Sequence, residues 1–193
     1  MGDELDQLLQ QRFDLTRQDI VAALNTLPVL RPWAAALTDD QARLLNDAGF
    51  VEDPEAYAAA AADTVTHLGR LLSTACSAGA VAKGLGISLS RVRQRRLARQ
   101  LWAIPDGRGW LFPLLQFDRD ADGGPLRQTR GLDQVFPVLP PDLYPVAIAG
   151  FLHTPHPDLP MGGTAAAPLD WLRNGGDVST VVAMAQAADW VGV

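Results

Sequence analysis

The sequence predicts a mainly α-helical protein, and three observations carry that prediction. Helix-opening signals recur along the chain, at Thr16 with Asp19, at Thr38 with Gln41, at Asp53 before Pro54-Glu55, at Ser88 and at Asp177. Val178, Val181, Val182 and Ala185 repeat at i, i+3, i+4 and i+7, the apolar stripe of a one-sided helix. Strand signals gather in one place, where two short apolar runs flank a glycine-rich turn at Pro105-Asp106-Gly107-Arg108-Gly109. A chain of 193 residues suits one large domain or two small ones.

The first 70 residues read as an acidic helical arm. Thr16-Arg17-Gln18-Asp19 resembles a capping box that opens a helix through Leu27, stopped by Pro28 and Pro32. A second helix runs from Thr38 to Gly49. A third begins at Asp53-Pro54-Glu55 and extends through the alanine-rich run toward Leu71 and Leu72. No spacing here points to catalysis, so the expected role is packing on the centre or self-association into a homodimer.

Charge separates the chain into three parts. Residues 1–69 carry minus eight, residues 70–117 plus seven and residues 118–193 minus five, which together recover the formal −6. A basic island between two acidic arms is the local field that an anionic partner meets. The acidic arms should repel non-specific DNA, which raises selectivity.

Within the island, Val81, Ala82 and Leu85 give one apolar helix face, and Gly86 falls where that helix must end in a left-handed residue. Ile87 plugs the turn and Ser88 caps the next helix, whose Leu89 and Val92 are expected to point back to the first. The second helix presents Ser90, Arg91, Arg93, Gln94, Arg95, Arg96 and Arg99. The hairpin signal follows at once, with Arg108 at its tip, in the position of a wing. Residues 71–117 are therefore expected to form a winged helix-turn-helix. Arg91, Arg93, Gln94 and Arg95 would approach base edges; Lys83, Arg96, Arg99 and Arg108 would meet phosphates, with Ser88 and Ser90 beside them.

This order of helix, turn, Arg-rich helix, wing and closing aromatic segment resembles the MerR/excisionase-like winged helix-turn-helix domains. In one departure, Arg96 stands where such domains usually carry an apolar residue. The resemblance implies binding to a double-stranded DNA operator.

Residues 118–145 read as a linker, since Gly, Asp and Arg recur from Asp118 to Gln134 without periodicity and a Pro-rich stretch follows. Residues 146–193 are expected to form a small helical domain: an apolar segment from Val146 to Leu152, a turn-rich loop from His153 to Leu159, a short helix from Pro168 ended by Gly175-Gly176, and a last helix capped by Asp177. Leu152, Pro155, Pro157, Leu159, Gly162, Pro168, Trp171, Leu172, Gly175, Gly176, Asp177, Val181 and Ala185 follow an order similar to the toxin-binding domain of Xre/MbcA/ParS-type antitoxins. That resemblance, over residues 147–188, implies a RES-fold toxin as partner, an antitoxin that represses its own operon, and partner contacts among Trp171, Leu172, Val181, Val182 and Trp190. Trp171 and Leu172 would serve as core, and Trp190 as contact surface or as a packed cap. A stand-alone DNA-binding regulator without a toxin is the alternative.

Other chemistries find little support. Cys76 is the one cysteine, which excludes an internal disulfide and a cysteine-rich zinc site. His153 and His156 have an H-x-x-H spacing with Asp158 nearby, the basis for a third reading as a metal-dependent hydrolase, but Pro155 and Pro157 interrupt it. Gly84-Leu85-Gly86 lacks the preceding strand of a phosphate loop, and Ser73, Thr74 and Cys76 lie in no nucleophile motif. No enzyme activity and no cofactor are expected. The acidic Met1-Gly2-Asp3-Glu4 start and the absence of a long apolar run point to a cytoplasmic protein away from membranes.

Overall fold

The computed structural model describes residues 2–26, 40, 43–44, 47–49, 54–107, 109–118, 126–188 and 190. Among the described residues it is mainly helical with three small antiparallel sheets, and it divides into two compact units, Met1–Arg70 and Leu71–Val193.

In the first unit, α1 (Gly2–Phe13) turns into α2 (Arg17–Thr26). The capping box forms as its residues dictate. Asp19 Oδ2 accepts from the Thr16 N–H at 2.8 Å and from its hydroxyl at 2.6 Å, and Thr16 Oγ1 accepts from the Asp19 N–H at 3.3 Å. Leu15 is buried in the turn, against Gly69 of α3 (Pro54–Ser73), where a Cβ would come within 2.8 Å of the leucine. Most of the helix expected from Thr38 to Gly49, and the Asp53 cap, lie outside the described residues.

The second unit opens with β1 (Cys76–Ser77), α4 (Ala78–Leu85) and α5 (Leu89–Leu97), then the hairpin β2 (Ile104–Pro105) and β3 (Trp110–Phe112). Strand β3 is central, with Cys76 opposite Phe112 on one side and Ile104 opposite Leu111 on the other. Val81, Ala82, Val92, Leu101 and Phe112 fill the core between the helices and this sheet, with Phe117 and Leu126. Leu89 is the exception to the expected packing: it is 60% exposed while Val92, one turn on, is buried.

Of the segment expected to link two domains, residue 118 and residues 126–145 are instead folded into this unit. Strand β4 (Phe117–Asp118) pairs with β5 (Arg127–Gln128), and α6 (Leu132–Val138) follows. Leu126, Leu132, Val135, Phe136 and Leu139 are buried, which a solvated linker could not sustain. Their spacing was hidden by the intervening Gly, Asp and Arg. Gln116 is wholly buried and behaves like a strand partner: its Nε2 donates to the Trp102 carbonyl at 2.8 Å, and its Oε1 accepts from the Trp102 N–H at 3.0 Å. Asp118 accepts from the Thr129 hydroxyl and from Arg173 Nε, each at 2.8 Å, tying β4 and Thr129 to the C-terminal part.

That part comprises α7 (Pro145–His153), β6 (His156–Met161), β7 (Thr164–Ala166), α8 (Pro168–Arg173) and α9 (Val178–Ala187). It is less purely helical than expected. The turn-rich loop is the first strand of a hairpin whose tip, Gly162-Gly163, has φ of +60° and +87°. Two successive left-handed residues are what a tight two-residue hairpin turn requires, and the Gly-Gly pair was its sequence signal.

Candidate nucleic-acid interface

Helix α4 ends at Gly86, with φ +66°, in a Schellman motif: the Ile87 N–H donates to Ala82 O at 3.0 Å and the Gly86 N–H to Lys83 O at 3.4 Å. Ser88 then caps α5, its hydroxyl accepting from the Arg91 N–H at 3.2 Å and bonding Ser90 Oγ at 2.9 Å. A three-residue turn thus sets α5 across α4 with Val92 as its buried residue.

Around Val92 the side chains of α5 fall into two groups. Lys83 on α4, and Ser90, Arg91, Arg93 and Gln94 on α5, are exposed. Lys83 and Arg93 have no hydrogen-bond or ion-pair partner among the described residues, and Arg91 reaches only Gln94 Oε1, at 3.4 Å. The others are engaged. Arg95 donates to Gln128 Oε1, and Gln128 in turn donates to Gln100 O at 2.6 Å. Arg96 lies over the Trp110 ring at 3.9 Å from its centroid, joining α5 to the hairpin. Arg99 donates to the carbonyls of Pro137 at 3.2 Å, Leu139 at 2.5 Å and Pro140 at 3.2 Å, at the end of α6. Three aligned carbonyls at a helix C-terminus are a cation site, and the protein fills it from within. Arg95 and Arg99 therefore leave the set expected to face DNA, because segment 126–140 folds over them. Arg108 lies outside the described residues.

No protein-family model matches the chain, and neither a curated protein nor a solved structure does. The residues alone carry the reading of this surface.

At the C-terminal end, the Trp171-to-Asp177 motif builds a helix corner. Gly175, with φ +84°, ends α8 in a second Schellman motif, the Gly176 N–H donating to Trp171 O at 2.9 Å. The Trp171 ring lies so close to Gly176 that a Cβ would come within 2.3 Å of it, and its Nε1 donates to Asp177 O at 3.1 Å. Asp177 caps α9. Hydrogen bonds from the Ser179 hydroxyl (2.6 Å) and N–H (3.0 Å) hold its carboxyl below the ordinary carboxylate range, and the Arg130 charge adds to them.

Leu172, expected to serve as core, is 1% exposed, and Val181, expected among the partner contacts, is 0% exposed. Leu172 faces Gly131, and Val181 lies on the inward stripe of α9, the part that periodicity reveals, so it does not meet a partner directly. Trp190 is a packed cap, edge-on to Phe151 at 5.5 Å with its Nε1 donating to Ala185 O at 3.1 Å. Val182 is half-buried. His153 ends α7 and His156 opens β6. His156 Nδ1 accepts from the Asp158 N–H at 3.2 Å, and among the described residues no group of three His, Cys, Asp or Glu side chains could hold a metal ion. Nor is any described helix long and apolar enough to cross a membrane.

Proposed function

We propose that the chain is a sequence-specific binder of double-stranded DNA that inserts α5 into the major groove and sets the β2–β3 hairpin beside it as a wing. The observation that carries this reading is the exposed donor set of Lys83 on α4 and Arg91, Arg93 and Gln94 on α5, none of them bonded outside its own helix among the described residues, while Arg95, Arg96 and, just past the helix, Arg99 are tied to other segments. Arginine and glutamine donate in pairs to purine edges, and exposed cations displace counterions from phosphates. The test is retention of duplex fragments from a random pool, followed by a salt titration. Binding should weaken steeply with salt. Arg93→Ala should lower affinity about tenfold, the loss of one good base-edge contact. Salt-independent binding, or an unchanged affinity for Arg93→Ala, would count against the reading.

A second activity, neutralisation of a RES-type toxin as part of an autorepressor, is supported by the antitoxin-like motif of residues 147–188. Its glycines, Trp171 and Asp177 act together in one corner. Co-expression with a RES-fold protein should give a stable heterocomplex; its absence would leave a stand-alone regulator.

A further inference from the structure

Helix α5 exposes two large apolar side chains that the packing does not account for. Leu89 and Leu97 are 60% and 63% exposed, while Val92 is the buried residue of this helix. With Arg93 they stand at i, i+4 and i+8, which places all three along one outward stripe. At 1.5 Å per residue the two leucines are about 12 Å apart with the arginine midway. That span matches roughly three to four base-pair steps of 3.4 Å. On one flank, Arg96 and Trp110 hold the hairpin against the helix; on the other stand Ser90 and Gln94.

Exposed leucines could suit a protein partner or a second copy of the chain. A second copy of this face would set arginine against arginine, a like-charge arrangement that costs affinity. A polyanion suits the same cations. Among the base edges of the major groove, the apolar group is the C5-methyl of thymine. We propose that Leu89 and Leu97 read thymine methyl groups on either side of a purine contacted by Arg93, so that the two leucines are specificity-determining residues of the interface. This rests on the DNA-binding reading above.

The experiment uses the full chain and duplexes it selects from a random pool. The selected pool is amplified in two forms, one with thymidine and one with deoxyuridine, which keeps pairing and charge but removes every C5-methyl. Wild-type protein should bind the uracil form more weakly, by about fourfold for each methyl that loses its apolar contact. The salt slope should be the same for both forms. The Leu89→Ala/Leu97→Ala double variant, checked for folding by circular dichroism, should bind the two forms alike. Equal binding of both forms by wild-type protein, with the salt dependence intact, overturns the thymine inference and leaves DNA binding standing. A double variant that keeps the wild-type thymine-to-uracil ratio overturns it as well. Failure to retain either form overturns DNA binding itself, and the inference with it.

Discussion

Arg93 and Arg99 lie six residues apart in one arginine-rich run, yet they occupy opposite worlds. Arg93 projects from the outer face of α5 and has no partner among the described residues, whereas Arg99 donates to three backbone carbonyls at the end of α6. Their backbones differ too. Arg99 has φ +55° and occupies the left-handed position of a Schellman motif, with the Gln100 N–H donating to Arg95 O at 2.8 Å and its own N–H to Arg96 O at 2.9 Å. At the ends of α4 and α8 that same position is held by Gly86 and Gly175. An arginine there accepts about 1 kcal/mol of backbone strain. The side-chain bonds to α6 offset it. Residue type therefore says little about role on this helix; the neighbour on each side says most.

The largest expected effect comes from the inward arginine. Arg99→Ala should destabilise the fold by about 2–3 kcal/mol, the scale of charge-assisted hydrogen bonds lost from half-buried carbonyls, in chemical denaturation. Arg99→Gly should recover about 1 kcal/mol of that by relieving the left-handed backbone. Affinity for DNA per folded molecule should change little in either variant. A loss of affinity without loss of stability would erase the distinction between the two arginines.

Next comes Gly84→Ala. Its Cβ would lie 2.6 Å from Leu126 Cδ1 and 2.9 Å from Leu126 Cβ, so the segment that covers Arg95 and Arg99 must shift. A cost of about 1–3 kcal/mol is expected, measured as a lower denaturation midpoint. Arg93→Ala is the mirror case. Its stability should stay within about 0.5 kcal/mol of wild type, as befits an exposed position, while affinity falls. Arg96→Ala, which lies between the two classes, should cost about 0.5–1 kcal/mol through the lost stacking on Trp110.

The smallest effect concerns acid. Because Asp177 is held below the ordinary carboxylate range, its contribution is present above that range and disappears as pH falls through the depressed value. Asp177→Asn keeps an N-cap but loses this dependence. Its acid-unfolding curve should be flatter than that of wild type at the low-pH end, and identical curves would mean the cap does not titrate as described.

How much of this was legible depended on distance along the chain. The Gly86 turn, the Ser88 cap and the β2–β3 hairpin need only residues within a few positions of one another, and each could be read directly. The Gly162-Gly163 hairpin was legible in the same way but was hidden by the prolines of β6, which look like loop residues. Strand β1 has only two residues and exists because β3 pairs with it. The supposed linker was beyond reach for a different reason. Its buried residues pack against partners far away in sequence, and Gln116, Asp118 and Gln128 find theirs at Trp102, Arg173 and Arg95.

By itself the sequence determined the charge segregation, the helix starts and stops, and the identity of α5 as a cationic helix beside a hairpin, because capping, turn geometry and periodicity are local. Tertiary structure decided which cations remain outward. A guanidinium commits to carbonyls or to solvent only once another segment is brought over it, and the partners in that segment, residues 126–140, come 33 to 41 residues later in the chain.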